Sequence, residues 1–280
     1  MIAGDKMRVA LLDGYNLMHR ARFGMKNGDM HIIFNFFRGL RPIIAELNPD
    51  KVYLVLEGMP IHRIQADASY KANRIIEEGT PQASEMAEFR RQKKIIIESL
   101  KHYPITLARH ADLECDDTIA SLCVDVHSDA ICTIVSTDTD FIQLLDETGR
   151  IKLYNPVRKE YIQHAPYDYL TWKALRGDKT DNVPRVDGMT DSRAEKTLAD
   201  PKKMNDVFND PVLNMQFQRN LNLIRLKTGL HDGIEYNVPS PDFNRARELF
   251  SEFKFFAMTN DTAWRNYSKT FQSLLTNFGD

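Results

Sequence analysis

Apolar residues recur along the chain with two different periods, and the switches between them mark the elements. Arg8 to Asp13 (RVALLD) is a short apolar run closed by an acid and Gly14, the pattern of a strand buried on both faces and then a turn. His31 to Leu47 instead spaces Ile33, Phe36, Phe37, Leu40, Ile43, Ile44 and Leu47 at helical intervals and stops at Asn48 and Pro49. Lys51 to Glu57 (KVYLVLE) is β-rich and again ends in an acid before a glycine. Pro60 to Thr80 is irregular and polar. Thr80 and Pro81 then open a helix whose stripe of Met86, Phe89, Ile96, Leu100 and Tyr103 leads to a short strand near Ile105. The stretch from Asp112 to Leu145 predicts a helix ending near Val126, an apolar strand over Ala130 to Ser136, and a short helix after Asp140. A two-stranded element (Ile151 to Tyr154, Glu160 to Ile162) and a helix over Pro166 to Arg176 follow; the remainder, punctuated by Pro201, Pro211, Pro239 and Pro241, reads as appended helices. Strands alternating with helices in this way predict an α/β fold with a mainly parallel sheet.

That expectation gives the acids a meaning. A parallel sheet aligns its carboxyl ends, where ligands of open α/β sheets bind, so Asp13, Glu57 and Asp138 converge on one edge without any local motif. Glu114, Asp116 and Asp117 open the helix between two of these strands. Crowded carboxylates repel unless a cation sits among them, and Mg²⁺ takes oxygen ligands of this kind. Asp13, Glu57, Glu114, Asp116 and Asp138 form one expected group; Asp140, Asp178 and Asp181 extend it, with Asp117 in or near the shared region. Two divalent ions about 4 Å apart can clamp the attacking and leaving oxygens of a phosphodiester and lower the pKa of a water, so no nucleophilic side chain is required. Taken singly each acid is better read as a helix cap or a turn residue; the clustering favours the metal site.

Composition adds bounds. At 280 residues the chain suits one large α/β domain with a small helical appendage. No uncharged apolar run reaches membrane-spanning length and no signal-peptide pattern opens the chain, so a soluble, cytoplasmic protein without membrane association is expected. Cys115, Cys123 and Cys132 lack metal-ligand spacing and read as small core residues in a reducing compartment, with neither disulfide nor zinc. The net charge of −2 becomes +7 once the nine candidate ligands are set aside, a basic surface around an acidic pit, which suits a polyanion brought to a cation centre.

The order LLDGYN, VLEG, YKANR, LECDD, STDTDF, LRGDKTDN, VDGM resembles the 5′ nuclease superfamily, which includes phage and bacterial flap endonucleases, 5′–3′ exonucleases and the 5′ nuclease domain of bacterial DNA polymerases. The resemblance runs from Arg8 to about Leu198 and implies a PIN-like catalytic domain over 1–176 with a helical arch at about 60–103. A helical duplex-binding part with an extended helix-turn-helix and a C-terminal tail would occupy 177–280. It implies the same nine acids as ligands of two Mg²⁺ ions, with Mn²⁺ as a substitute, although Glu57 stands where the family has Asp. Tyr70, Lys71 and Arg74 fall at the base of the arch, where the lysine would neutralise the scissile phosphate, the arginine hold a neighbouring one and the tyrosine stack on a base. Arg90, Arg91, Lys93 and Lys94 would line the arch around a single-stranded 5′ end. Val186 to Leu198 falls at the family's extended turn, which grips duplex through backbone amides and often a bound K⁺. Val186 and Gly188 fit that pattern, Arg185 and Thr190 replace glycines, and Ser192 replaces a lysine; Arg185, Arg193 and Lys196 are then the phosphate contacts, and Ser192 with Glu195 a capping box.

The implied substrates are DNA with a 5′ flap, fork or nick, or an RNA/DNA hybrid, cut in replication by a monomeric enzyme in a bacterial or phage-infected cell. Three rivals share features. A PIN-type single-strand ribonuclease would lack Asp178, Asp181 and the duplex-binding turn. A haloacid-dehalogenase-like phosphatase needs a nucleophilic DxD, whereas Leu11 and Leu12 precede Asp13. A silent DNA-binding protein of the same fold would have lost ligands, and the acids here look complete. The tail after Pro239 is open to a role in docking a partner protein.

Overall fold

The computed structural model describes residues 6–26, 28–74 and 76–277; the first five residues of the expected catalytic domain and the last three of the tail lie outside it. Its centre is a seven-stranded sheet of order β6-β5-β4-β1-β2-β3-β7. The chain enters at β1 (Arg8–Asp13), passes through α1 (Gly14–Ala21) and α2 (His31–Leu47), and returns as β2 (Lys51–Leu56). Then come α3 (Ile61–Ala66), α4 (Pro81–Ser99), β3 (Thr106–His110) and α5 (Cys115–Ser121), which ends in one π-helical turn over Leu122–Val126. The other half of the sheet is β4 (Ile131–Val135), β5 (Ile151–Asn155) and β6 (Glu160–Ile162). From β1 to β5 the strands are parallel, and β6 closes one edge antiparallel.

Alternate residues of the strands serve opposite faces. Ala10, Leu12 and Leu54 join a core with α2, whereas Val9, Leu11 and Val55 join one with α5. Burial on both faces explains why β1 and β2 read as continuous apolar runs rather than alternating ones. The segment expected to be irregular after Pro60 holds α3 and a 3-10 turn at Ala72–Arg74. The expected start of α4 is in place, with the Thr80 hydroxyl accepting from the Ala83 N–H at 3.2 Å.

The last part of the chain forms α6 (Tyr169–Arg176), α7 (Asp191–Leu198), α8 (Pro201–Asn209) and α9 (Pro211–Ile224) around a separate small core of Ala174, Leu175, Val186, Ala194, Val207 and Phe217. It is not wholly helical: β7 (Ile234–Asn237) pairs antiparallel with β3. Finally α10 (Phe243–Glu252), α11 (Phe256–Thr259) and α12 (Asp261–Gln272) return to the sheet domain. Phe250, Trp264, Tyr267 and Phe271 pack there against α2 and Tyr103, with Phe250 and Phe37 ring centroids 5.1 Å apart. The apolar positions of the tail therefore belong to the main core.

Candidate active site

In the sheet register Leu12 faces Leu54 on one side and Val135 on the other. Asp13 at the end of β1, Glu57 just beyond β2 and Asp138 just beyond β4 therefore reach one edge, at the point where the strand order reverses. Asp13 caps α1, accepting from the Asn16 N–H at 2.9 Å, and also accepts from the Ser136 hydroxyl at 2.7 Å. Glu57 accepts from the Cys115 N–H at 3.2 Å, which ties it to the first turn of α5 and to Asp116. Asp138 accepts from the Asp140 N–H at 2.9 Å.

The second group arrives from the turn after α6. Asp178 and Val183 exchange backbone hydrogen bonds of 2.8 and 2.7 Å, which closes a tight loop around Asp181. Asp140, Asp178 and Asp181 each offer a carboxylate oxygen, all within 4.8 Å of one another. Together Asp13, Glu57, Asp116, Asp138, Asp140, Asp178 and Asp181 line a cavity of about 390 Å³ with Lys71, Arg74, Lys173 and Arg176. Seven carboxylates against four cations leave an excess of hard oxygen donors, a set that fits Mg²⁺ or Mn²⁺.

Burial and mutual repulsion show in the acids. Burial, with a smaller push from Asp138, raises Asp13 to about 6; burial and the nearby Glu114 raise Glu57 to about 7. Asp116 is held well above the usual carboxylate range by burial and then by Asp138, Asp13 and Glu57. Asp178 goes the other way: burial opposes ionisation there, but Lys173 and the Thr180 hydroxyl and N–H bring it down to about 2.

Two expected ligands lie elsewhere. Asp117 does not line the cavity; it is fully buried, with its two oxygens taken by the Arg63 guanidinium at 2.5 and 2.8 Å and by the Lys227 N–H at 2.8 Å. Glu114 is bonded by Lys71 at one oxygen, and at the other by Arg63 at 2.7 Å and the Tyr70 hydroxyl at 2.9 Å. Tyr70 is 8 % exposed and packs on Val183, Leu223 and Ile224, so its ring is not the free stacking surface expected of it. Its hydroxyl also reaches Asp181 at 3.2 Å. Lys71 and Arg74 both contact Asp181, and Lys71, at φ 56°, bonds the Asp181 carbonyl through its own N–H at 3.0 Å.

Of the four residues expected in the arch, Lys93 has its ammonium 5.6 Å from the ring of Tyr15, which lines the cavity. Arg91 pairs with Glu88 at 2.6 Å, while Arg90 and Lys94 are exposed. At the turn before α7, Val186 is buried and its N–H is bonded to Leu175 at 3.0 Å, so that amide is not free for phosphate. Gly188, at φ 74°, accepts from Arg193 at 2.9 Å, and Arg185 pairs with Asp191 at 3.1 Å. The helix cap is not Ser192: α7 begins two residues earlier, with the Thr190 hydroxyl accepting from the Arg193 N–H at 3.2 Å. Ser192 and Lys196 are exposed on α7.

Four cations were missed: Lys173, Arg176, Arg20 and Arg63. Lys173, 4 % exposed, contacts Asp140 and lies 2.8 Å from Asp178. It sits on the same helix end as Arg176, three residues on, and that pairing just before Gly177 was the available signal. Arg20 approaches the Thr137 hydroxyl at 3.4 Å beside Asp138, and Arg63 lay in the stretch read as irregular, where no pattern marked it.

An oxygen-lined pit rimmed with lysine and arginine, at the switch point of a PIN-like sheet, is the setting of a metal-dependent nuclease. Residues 8–170 match the family described as 5′-3′ exonuclease, N-terminal resolvase-like domain, and the chain belongs to that family. It is 26% identical over 210 residues to a 5′-3′ exonuclease of Mycoplasmopsis pulmonis, covering 71% of this chain and 68% of that protein. It is 27% identical over 227 residues to DNA polymerase I of Streptococcus pneumoniae, covering 73% of this chain but spanning only 25% of the polymerase. In fold it is similar to the bacteriophage T5 flap endonuclease, solved with DNA and metal ions, with a TM-score of 0.63 at 16% identity over 96% of this chain and 99% of that one. Among the described residues no helix is long and apolar enough to cross a membrane.

Proposed function

We propose that the chain is a Mg²⁺-dependent, structure-selective 5′ nuclease that hydrolyses a phosphodiester near the 5′ end of DNA flaps or RNA/DNA primers and leaves a 5′-phosphate. The observation that carries this reading is the convergence of seven carboxylates from β1, β2, α5, β4 and the turn after α6 on one cavity that Lys71 also lines. Asp13, Glu57, Asp116, Asp138, Asp140, Asp178 and Asp181 would hold two divalent ions, and Glu114 would act on that set through Lys71 and Tyr70. When bound, such ions supply Lewis-acid stabilisation of the phosphate and a water of lowered pKa.

The chain's own groups do the rest. Lys71, 19 % exposed at the cavity wall, meets the scissile phosphate as a positive charge. Arg74 and Arg176 hold a flanking phosphate at the rim, where Arg74 is half open to solvent. Lys173 keeps Asp178 ionised and holds Asp140 and Asp178 in place. Arg90, Lys93 and Lys94 line the path of a single strand under the arch, and Arg193 and Lys196 face duplex phosphates, with K⁺ an option at the Gly188 turn.

The deciding experiment is product sizing with Mg²⁺ and with EDTA on a 5′ flap, a blunt duplex, an RNA/DNA hybrid and single-stranded RNA. Metal-dependent cuts at the flap junction, or stepwise loss from the 5′ end, are expected. Cleavage of single-stranded RNA alone would move the protein to the PIN-type ribonucleases, and flap binding without cleavage would make it a silent binder.

A further inference from the structure

Arg63, on α3, is 2 % exposed, and the reaction outlined above makes no use of it. Its guanidinium ties three separate parts of the chain together. Nη1 and Nη2 grip Asp117 of α5 at 2.5 and 2.8 Å, Nη1 also donates to Glu114 at 2.7 Å, and Nε and Nη2 donate to the carbonyls of Leu223 and Arg225 at the end of α9, at 2.7 and 3.2 Å. Bonding continues from Glu114 into the site. The carboxylate oxygen that faces Arg63 also accepts from Tyr70, the other holds Lys71, and Tyr70 bridges onward to Asp181.

An arginine that only neutralised Asp117 would have no reason to reach Glu114. Here the guanidinium is fixed by Asp117 and two carbonyls, and in turn fixes the rotamer of a carboxylate whose remaining contacts are all at the arch base. We infer that Arg63 is a positioning residue: through Glu114 it sets where Lys71 and Asp181 stand, and it links the end of α9 to the acidic cluster. This rests on the nuclease reading above. Displacing a charge by about 1 Å from its reacting phosphate can cost roughly a hundredfold in rate, which is the leverage such a residue has.

The test separates position from stability. Removing Arg63 alone strands a buried Asp117, but a buried ion pair can often be replaced by apolar residues of similar volume without loss of stability. The double variant Arg63→Met/Asp117→Leu does this while leaving Glu114 paired with Lys71. For wild type, the double variant and Arg63→Lys, the measurements are Tm in EDTA, the rise in Tm on adding Mg²⁺, and kcat and KM on a 5′-flap DNA. The double variant is expected to stay folded but to melt below wild type, because the Leu223 and Arg225 carbonyls and the Lys227 N–H lose their partners, to lose roughly tenfold or more in kcat with KM changed by less than about threefold, and to show a smaller Mg²⁺-induced rise. Wild-type kcat and a wild-type Mg²⁺ response in the double variant would overturn the inference, leaving Arg63 as the counter-ion of Asp117. If the double variant does not fold, Arg63→Lys decides, because it keeps the charge and loses the fork: a reduced kcat and Mg²⁺ response support positioning, and wild-type values overturn it. Failure of the nuclease reading would look different, as wild type itself would cut no flap, and the Mg²⁺-induced shift would still rank the variants.

Discussion

The Asp138 carboxylate accepts one hydrogen bond, from the Asp140 N–H, and an asparagine oxygen can accept it equally well. Asp138→Asn therefore removes a charge and leaves volume and cap in place. It is expected to keep the wild-type Tm in EDTA or raise it slightly, because repulsion with Asp13 and Asp116 falls, while cleavage drops by roughly a thousandfold or more. A fully active variant would remove Asp138 from the site. Lys71→Ala should cost roughly a hundredfold or more in kcat with little change in KM, measured by single-turnover and steady-state cleavage, since the ammonium acts where charge develops. The sequence could nominate both residues because each follows a recognisable apolar strand or motif. It could not separate Asp116 from its neighbour Asp117. Successive helical residues point about 100° apart, and what draws Asp117 away is Arg63, 54 positions earlier and marked by no periodicity. The same holds for Tyr70: its place in SYKANR was legible, but its burial against Leu223 and Ile224 depends on a helix more than 150 residues later.

Elements with a single strong period were readable nearly to the residue: β1, α2 and the start of α4 lie where the pattern puts them. Short elements were harder. α3 has only 6 residues and β7 only 4, too few for a period to stand out, and β7 exists because β3 offers it an edge. The tail was the other loss, since nothing in its helical stripe says which surface it covers. In the fold, α12 lies on α2, with the Tyr267 hydroxyl donating to the Phe37 carbonyl at 3.2 Å and Phe271 5.1 Å from Tyr103. These aromatics pack on α2 and on Tyr103, just beyond the end of α4. Phe271→Ala is accordingly expected to lower stability by about 3–5 kcal/mol, read from urea unfolding, while cleavage per folded molecule is kept. A loss below about 1 kcal/mol would mean that the tail adds little to the core.

Taken together, the molecule keeps an acidic pit inside a chain whose other charges sum to a positive value, and the two are linked through protons. In the folded chain Asp13 and Glu57 hold their protons to about 6 and 7, against ordinary values of 3.8 and 4.5. The folded state thus binds more protons than the unfolded one across that window, and ionising these groups costs stability as pH rises through 6 to 7. His19, His62 and His127, lowered by burial, act in the opposite direction, since for them the unfolded state binds more protons. His62 and His127 do not line the cavity and largely cancel in the difference between Mg²⁺ and EDTA, whereas His19 lines it and adds its own proton release to that of the acids. Mg²⁺ competes with the carboxylate protons. The Mg²⁺-induced rise in Tm should accordingly be small at pH 5.5 and grow steadily to pH 7.5, and calorimetric titration near pH 6.5 in two buffers of different ionisation enthalpy should detect proton release on binding. A rise in Tm that stayed constant from pH 5.5 to 7.5, with no proton release, would mean that Asp13 and Glu57 are already ionised in the empty cavity. The seven carboxylates would then be balanced by Lys71, Arg74, Lys173 and Arg176, of which Lys173 is the most buried, and Lys173→Met should destabilise the metal-free chain far more than the Mg²⁺-bound one.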